Sequence, residues 1–451
     1  MWKNVSAPVQ AVVLVAMILV LASCPDPSNS AGSSGSSFET TREFYAVSFE
    51  GDAEETYQLV ADLAGTSPTA LVYVERGQTA AASIAQDVAD EFDRAILGPL
   101  RSYFGTETDV DRHDRVIILL LDIRDGFTGS GGYVGGYFDP WDLFVTSGSN
   151  QGEVLYIDTN PLSPGSEDFL RTIAHEFQHL VNFAENYLYE GGQRQDTWID
   201  EGLSLSAEYL YRGSHSTMRI DYYNADPEGS IALGNNFYVW GNDDVLADYS
   251  TAYIFFQWLR IHAENGAGIY REIIAQGDSD YSAVVDAATS RIAGSADTID
   301  GLIRDWYIAI RYGLPSGLYG FGSDATLNGL VFHDESTGNT SIALAPGEGV
   351  FNATGGSLSP GTVTNIGYVG LPDDYPAAPL DFEGDEYVGE RVLVWNRNPV
   401  NNPKDDNYAI ENAPIAASFG TISDSNEVTT SGGTLTASSV TGAGGAPRSY
   451  P

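Results

Sequence analysis

The stretch "IAHEFQHLVN", Ile173–Asn182, sets two histidines four residues apart with a glutamate directly after the first. On a helix, residues four apart differ by about 40° around the axis, so His175 and His179 point the same way, one turn apart. Two imidazoles at that spacing can share one metal ion. Glu176, about 100° from His175, then stands beside the ion as a general base toward water. The bland alternative is a helix that carries two histidines by chance. Against it, the whole chain has only six histidines, and Phe169, Ile173, Phe177, Leu180 and Val181 supply core contacts on the helix's other faces. A buried helix does not enclose two imidazoles and a carboxylate without a partner, and zinc is the simplest one.

A catalytic zinc takes a third protein ligand and keeps one position open. Downstream, "WIDEGLS" places Glu201 near the start of a helix that Trp198, Leu203 and Leu205 can anchor against the motif helix. The polar loop "EGGQRQDT" between the two helices lets them pack side by side. Asp200 is the rival ligand.

The flanking sequence reads as α+β. "EFYAVSFE" and "TALVYVER" have strand length and strand patterning, and "RVIILLLDI", Arg115–Ile123, is an apolar run expected as a central strand buried on both faces. A Gly/Tyr-rich loop, "GSGGYVGGYFDPWDLF", leads to another strand, "EVLYIDT", Glu153–Thr159. The motif helix is expected to start at Ser166, whose hydroxyl can cap it ahead of Glu167 and Asp168. The next helix runs from Thr197 to a terminating Gly213. Further helical segments continue to about Gly313, so strands come first and helices later. After Pro315 the composition shifts to Gly, Thr, Ser and Asn with short apolar runs such as "VLVWN", which predicts a small all-β domain over 316–415. A Ser/Thr/Gly-rich tail, 416–451, is expected to be disordered.

The N-terminus has a basic residue, Lys3, an apolar run Val9–Leu21, and small residues before Cys24. The run falls short of the ~20 apolar residues that span a bilayer and reads as a secretory signal over 1–23. "PDPSNSAGSSGSS" follows as a flexible tether within 24–40. With Cys24 the only cysteine, no internal disulfide can form. The chain carries 62 acidic and 21 basic residues, a net charge of −41, and only two lysines, Lys3 and Lys404. Such a surface repels nucleic acid and anionic headgroups, so nucleic acid is not expected as a partner. It also suits a protein that stays soluble in high salt, although an ordinary acidic secreted protein would look the same.

"LASC" resembles the bacterial lipobox, which implies a lipid on Cys24, attachment to a cell or outer membrane, and an extracytoplasmic location. "AHEFQHLVNF" followed by "WIDEGLS" resembles the gluzincin metallopeptidases. With "GGYFDPWDLF" and "EVLYIDT" in the same order, the chain is similar to the hyicolysin family of bacterial secreted metallopeptidases, from about Phe44 to Gly313. The resemblance implies a thermolysin-like catalytic domain over 41–315, one zinc held by His175, His179 and Glu201, Glu176 as base, and protein or peptide substrates. A metalloendopeptidase is the favoured form. Where thermolysin-like enzymes place an aspartate four residues after the ligand glutamate, this chain has Leu205. Ser204, Asp200, Glu208 or a backbone carbonyl could orient the histidines instead.

"DYSTAYIFFQWL" resembles the Tyr-x-x-Gly/Ala stretch of gluzincin aminopeptidases, which implies Tyr249 as donor to the oxyanion of the tetrahedral intermediate. Tyr253, Tyr223, Tyr222 and His215 are the alternatives. Tyr156, in "EVLYIDT", marks the strand expected to offer its edge to an extended substrate, unless that strand is interior. "DVDRHDR", Asp109–Arg115, could bind calcium, but it lacks EF-hand spacing and reads first as a solvated acidic turn. His113, His262 and His333 read as surface or local hydrogen-bonding residues. Two rival functions remain: a zinc-binding adhesion lipoprotein without activity, and a zinc hydrolase acting on another bond.

Overall fold

The structure, a computed structural model, describes residues 38–398 with breaks at 51–54, 130–132, 190, 192, 236, 238–243, 335–340, 345, 360–364, 377–379 and 383–386, together with 415–418 and 420–421. The signal, Cys24 and most of the tether and tail lie outside the described residues. Strands β1 (Thr41–Ser48), β2 (Glu55–Thr66) and β3 (Ala70–Glu75) form an antiparallel meander. The chain crosses through α1 (Thr79–Glu91) and α2 (Leu97–Tyr103) to β4 (Val116–Leu121), parallel to β3. Every residue of β4 is buried, as its unbroken apolar run requires of a central strand. The next strand in sequence, β5 (Gly136–Phe138), pairs antiparallel with β6 (Val154–Asp158), and β6 lies parallel to β4. The sheet order is therefore β1-β2-β3-β4-β6-β5.

Side chains stitch the outer edge of β1 to the far end of this sheet, which curls the sheet on itself. The Asn150 amide accepts from the Tyr45 N–H and donates to the Tyr45 carbonyl, both at 2.9 Å, so it pairs with β1 as another strand would. The Val47 N–H donates to the Tyr137 hydroxyl at 2.9 Å. An edge that would otherwise expose unpaired backbone groups is thereby closed.

The helical half begins with α3 (Glu167–Asn182), capped by the Ser166 hydroxyl accepting from the Phe169 N–H and continued by a π-helical segment to Tyr189. It packs on α4 (Thr197–Arg212), which ends at Gly213 with φ 67°. Then come α5 (Thr217–Ala225), α6 (Val245–His262), α7 (Gly268–Ala275), α8 (Tyr281–Arg291) and α9 (Ile299–Tyr312). Trp198, Trp258, Trp306, Phe255 and Phe256 fill the interior between them.

Beyond Pro315, β7 (Ser341–Leu344), β8 (Gly349–Ser359), β9 (Ile366–Leu371), β10 (Tyr387–Asn396), β11 (Ile415–Ser418) and β12 (Gly420–Thr421) form a four-stranded sheet, β12-β8-β10-β9, and a β7–β11 pair. The last two strands fall at the start of the stretch expected to be disordered. These strands lie against α9: the Gly349 N–H donates to the Tyr307 hydroxyl at 3.0 Å, and a Cβ at Gly349 would come within 2.6 Å of the Tyr307 ring. The described residues from Thr40 onward cluster as one compact unit.

Candidate metal centre

Helices α3 and α4 run antiparallel: Asn182 meets Asp200 at one end of the contact, and His175 meets Glu208 at the other. Between those contacts His175 Nε2 lies 3.1 Å and His179 Nε2 3.7 Å from the same oxygen, Glu201 Oε2. One donor atom from each residue lies within 4.8 Å of the others. Donors held 2.0–2.2 Å from a tetrahedral zinc would be roughly 3.3–3.6 Å apart, so the donor set and its spacing fit that ion. Glu176 is buried directly beside these groups.

Both imidazoles are held from behind. His175 Nδ1 donates to Glu208 Oε1 at 3.0 Å, and His179 Nδ1 to Asp200 Oδ1 at 3.1 Å. The Ser204 hydroxyl also lies 3.1 Å from His179 Nδ1. A carboxylate on Nδ1 fixes the tautomer that leaves Nε2 free to bind a metal. Of the orienting groups left open by the sequence, Glu208 therefore serves His175, while Asp200 and Ser204 serve His179. Asp200 thus meets the ring nitrogen on the side away from Glu201. Leu205 is fully buried in the core.

The electrostatics are those of a cation cage. Burial pushes the His175 imidazole down, but its bonds to Glu201 and Glu208 raise it to about 9. Burial likewise opposes the charged form of Glu201, and the two imidazoles outweigh it, holding that carboxyl below its usual range. Glu176 differs. Burial pushes it up, and the pull of His175 and His179 only partly offsets this. A carboxylate raised in this way is a stronger base than a solvated one.

Tyr249 enters from α6, its ring centroid 6.5 Å from that of His175. The other tyrosine candidates are engaged elsewhere. The Tyr253 hydroxyl lies 2.6 Å from His215 Nδ1, and His215 Nε2 pairs with Asp324 at 2.8 Å. The Tyr222 hydroxyl donates to Asp244, and Tyr223 is buried against His333. His262 and His333 bond to the backbone carbonyls of Gly320 and Tyr223, and exposed His113 sits beside Asp111.

Tyr156 stands differently from the sequence expectation. Its strand, β6, is paired on both sides, so it is interior, and β5 is the outermost strand. The Tyr156 side chain is buried, donating to Asp142 and accepting from Asn150 at 2.6 Å. The residue missed by sequence reasoning is Gly136 of β5, where a Cβ would fall 2.8 Å from Thr172 Cγ2 and 3.1 Å from Glu176 Cγ. Its signal was the repeated glycine in "GGYVGGYF": the edge strand approaches the motif helix so closely that no side chain fits.

A second group of carboxylates, Asp109, Asp111 and Glu153, also comes together within 4.8 Å. Glu153, which the sequence did not assign to this group, is buried and accepts from the Thr108 hydroxyl and the Val110 N–H.

No family model matches the chain. Over 254 residues it is 33% identical to the neutral metalloprotease ShpI of Staphylococcus hyicus, a match covering 54% of this chain and 57% of that protein. The chain thus spans little more than half the length of that relative. A solved structure of the ZmpB metallopeptidase from Clostridium perfringens aligns over 75% of this chain and 64% of its own, at 14% identity and a TM-score of 0.25, too low to bear on fold or function.

Proposed function

We propose that this protein is a zinc-dependent peptidase, an endopeptidase acting on protein or peptide substrates. The observation that carries the reading is the convergence of His175 Nε2, His179 Nε2 and Glu201 Oε2 beside a buried Glu176. The similarity to a neutral metalloprotease supports it. His175, His179 and Glu201 would hold the metal, which when bound would supply Lewis acidity toward the scissile carbonyl and the attacking water. Glu176 takes that proton and passes it to the leaving amine. Tyr249 donates to the oxyanion as the carbonyl carbon becomes tetrahedral. Glu208 and Asp200 keep the imidazoles oriented. An extended substrate pairs with β5, the last strand of the sheet and the one beside Glu176, by backbone hydrogen bonds that tolerate varied side chains.

The same proposal includes secretion through residues 1–23, a lipid on Cys24, a tether to residue 40, a catalytic region over 41–315 and a β-rich region over 316–415. The sequence patterns above support these assignments. No helix among the described residues is long and apolar enough to cross a membrane.

The test is hydrolysis of a quenched, unfolded protein by the chain from residue 25, beside Glu176→Gln, at low and high salt. The wild type is expected to cut, and Glu176→Gln to lose roughly 10²–10⁴-fold in rate while staying folded and zinc-loaded. Tight zinc binding by both proteins with hydrolysis by neither would move the adhesion-lipoprotein reading ahead.

A further inference from the structure

Beside the candidate metal centre stands a cation with no ion-pair partner among the described residues. Arg219, in the first turn of α5, places its guanidinium carbon 4.5 Å from the centroid of the Tyr249 ring. That ring is the one 6.5 Å from His175. The Arg219 Nε is buried and has no hydrogen-bond partner. Among the described residues no carboxylate comes within ion-pair distance of Arg219, whereas Arg101, Arg171, Arg291, Arg304 and Arg391 each have one.

Glu208 feels the Arg219 charge, but its carboxylate is already held by His175 Nδ1. The same charge bears on Tyr249 and on Tyr133, in the segment that leads into β5. The guanidinium therefore acts on both the tyrosine beside the metal centre and the approach to the β5 edge. In a chain with three acids for every base, a partly buried arginine at that place with no ion-pair partner among the described residues is not explained by packing. Stacking on Tyr249 satisfies one face of the guanidinium and leaves its fork of N–H donors open. That fork matches the two oxygens of a carboxylate, which would fill the donors and neutralise the charge together. A neutral carbonyl would do only the first.

We propose that Arg219 is a specificity residue that binds a carboxylate of the peptide substrate close to the scissile bond, supplied by an acidic side chain or by the C-terminus. The inference rests on the peptidase reading above. It makes the preferred substrates acidic peptides, despite a molecular surface that repels them.

The test uses the zinc-loaded full chain and matched quenched peptides. Each pair carries Glu or Gln at one of the two positions on either side of the cleaved bond, and one further pair ends in a free acid or an amide. For one pair the carboxylate member is expected to have a kcat/KM about ten-fold or more above its partner, carried mainly in KM. The ratio should collapse toward one in Arg219→Met and be partly kept in Arg219→Lys, which also serves if the methionine variant does not fold. Which pair responds identifies the source of the carboxylate. Equal hydrolysis of both members by the wild type, or a ratio unchanged in the variants, overturns the role of Arg219 and leaves the peptidase reading standing. If no peptide is cut, the peptidase reading fails, and binding of the same peptides by fluorescence anisotropy decides for Arg219. Tighter binding of the carboxylate member, lost in Arg219→Met and partly kept in Arg219→Lys, supports the carboxylate site; equal binding overturns it.

Discussion

At the scale of single residues, the site is two layers deep, and the inner layer depends on the outer. His175 and His179 turn Nε2 toward Glu201, at the proposed metal position, with Glu208 and Asp200 held on Nδ1. Glu208→Ala is therefore expected to weaken zinc binding about 10–100-fold with the fold intact, measured by competition with a chromogenic chelator. Glu208→Gln, which keeps an acceptor but not the charge, should fall between. Zinc affinity unchanged in both would mean that the His175–Glu208 contact plays no part in orienting the ring. The inner layer was legible in the sequence because helical spacing puts His175, Glu176 and His179 together whatever surrounds them. The outer layer was only half legible. Glu208 is two turns beyond Glu201 on the same face of α4, so it was among the candidates. Its pairing with His175 rather than His179, however, depends on the antiparallel packing of α3 on α4, which no local pattern reports.

At the scale of elements, the helices and the central strand were readable and the edge of the sheet was not. The start of α3 at the Ser166 cap, the end of α4 at Gly213 and the burial of β4 all follow from local rules. β5 does not, because three residues of Gly-Tyr-Phe carry no period. Its position comes instead from a polar network that fastens the β5–β6 end to β1. Asp142 accepts from the Tyr156 hydroxyl and from the Asn150 N–H at 2.6 Å, and Asn150 carries the bond pattern on to Tyr45. Burial pushes the Asp142 carboxyl up to about 7, against the pull of the bonds from Tyr156 and Asn150. Unfolded, the group titrates near its ordinary 3.8. The native state therefore binds this proton more tightly, and the stability it contributes is full below about 3.8 and lost as pH rises through about 7. Asp142→Asn removes that titration. The difference in Tm between variant and wild type is expected to shift in favour of the variant from pH 4 to pH 8, read by thermal melts across that range. Parallel profiles would show that Asp142 does not titrate in this window.

At the scale of the whole molecule, charge dominates. Composition could state the excess of 62 acids over 21 bases but not where the acids stand. In the structure, much of the arginine is committed to ion pairs, some as exposed as Arg76–Asp62, and the two lysines lie outside the described residues. Added salt acts on both sides of this balance. It weakens exposed pairs that contribute little to stability, and it screens the repulsion among the remaining acids. With a net charge of −41 the like-charge term is larger and acts over longer distances, so screening should favour the folded state. The Tm is therefore expected to rise between 0.05 and 2 M NaCl, most steeply where the Debye length shrinks from above ~10 Å to ~3 Å. Sucrose at matched osmolality controls for preferential exclusion and should give a smaller rise. A Tm that falls with NaCl would mean that ion pairs outweigh repulsion, and equal rises in salt and sucrose would assign the effect to exclusion. The same screening should speed the encounter with acidic peptides, whose approach the surface opposes until they reach Arg219. For those peptides kcat/KM should rise with salt before the pairing at Arg219 is itself screened and the rate falls, whereas neutral peptides should show no such maximum.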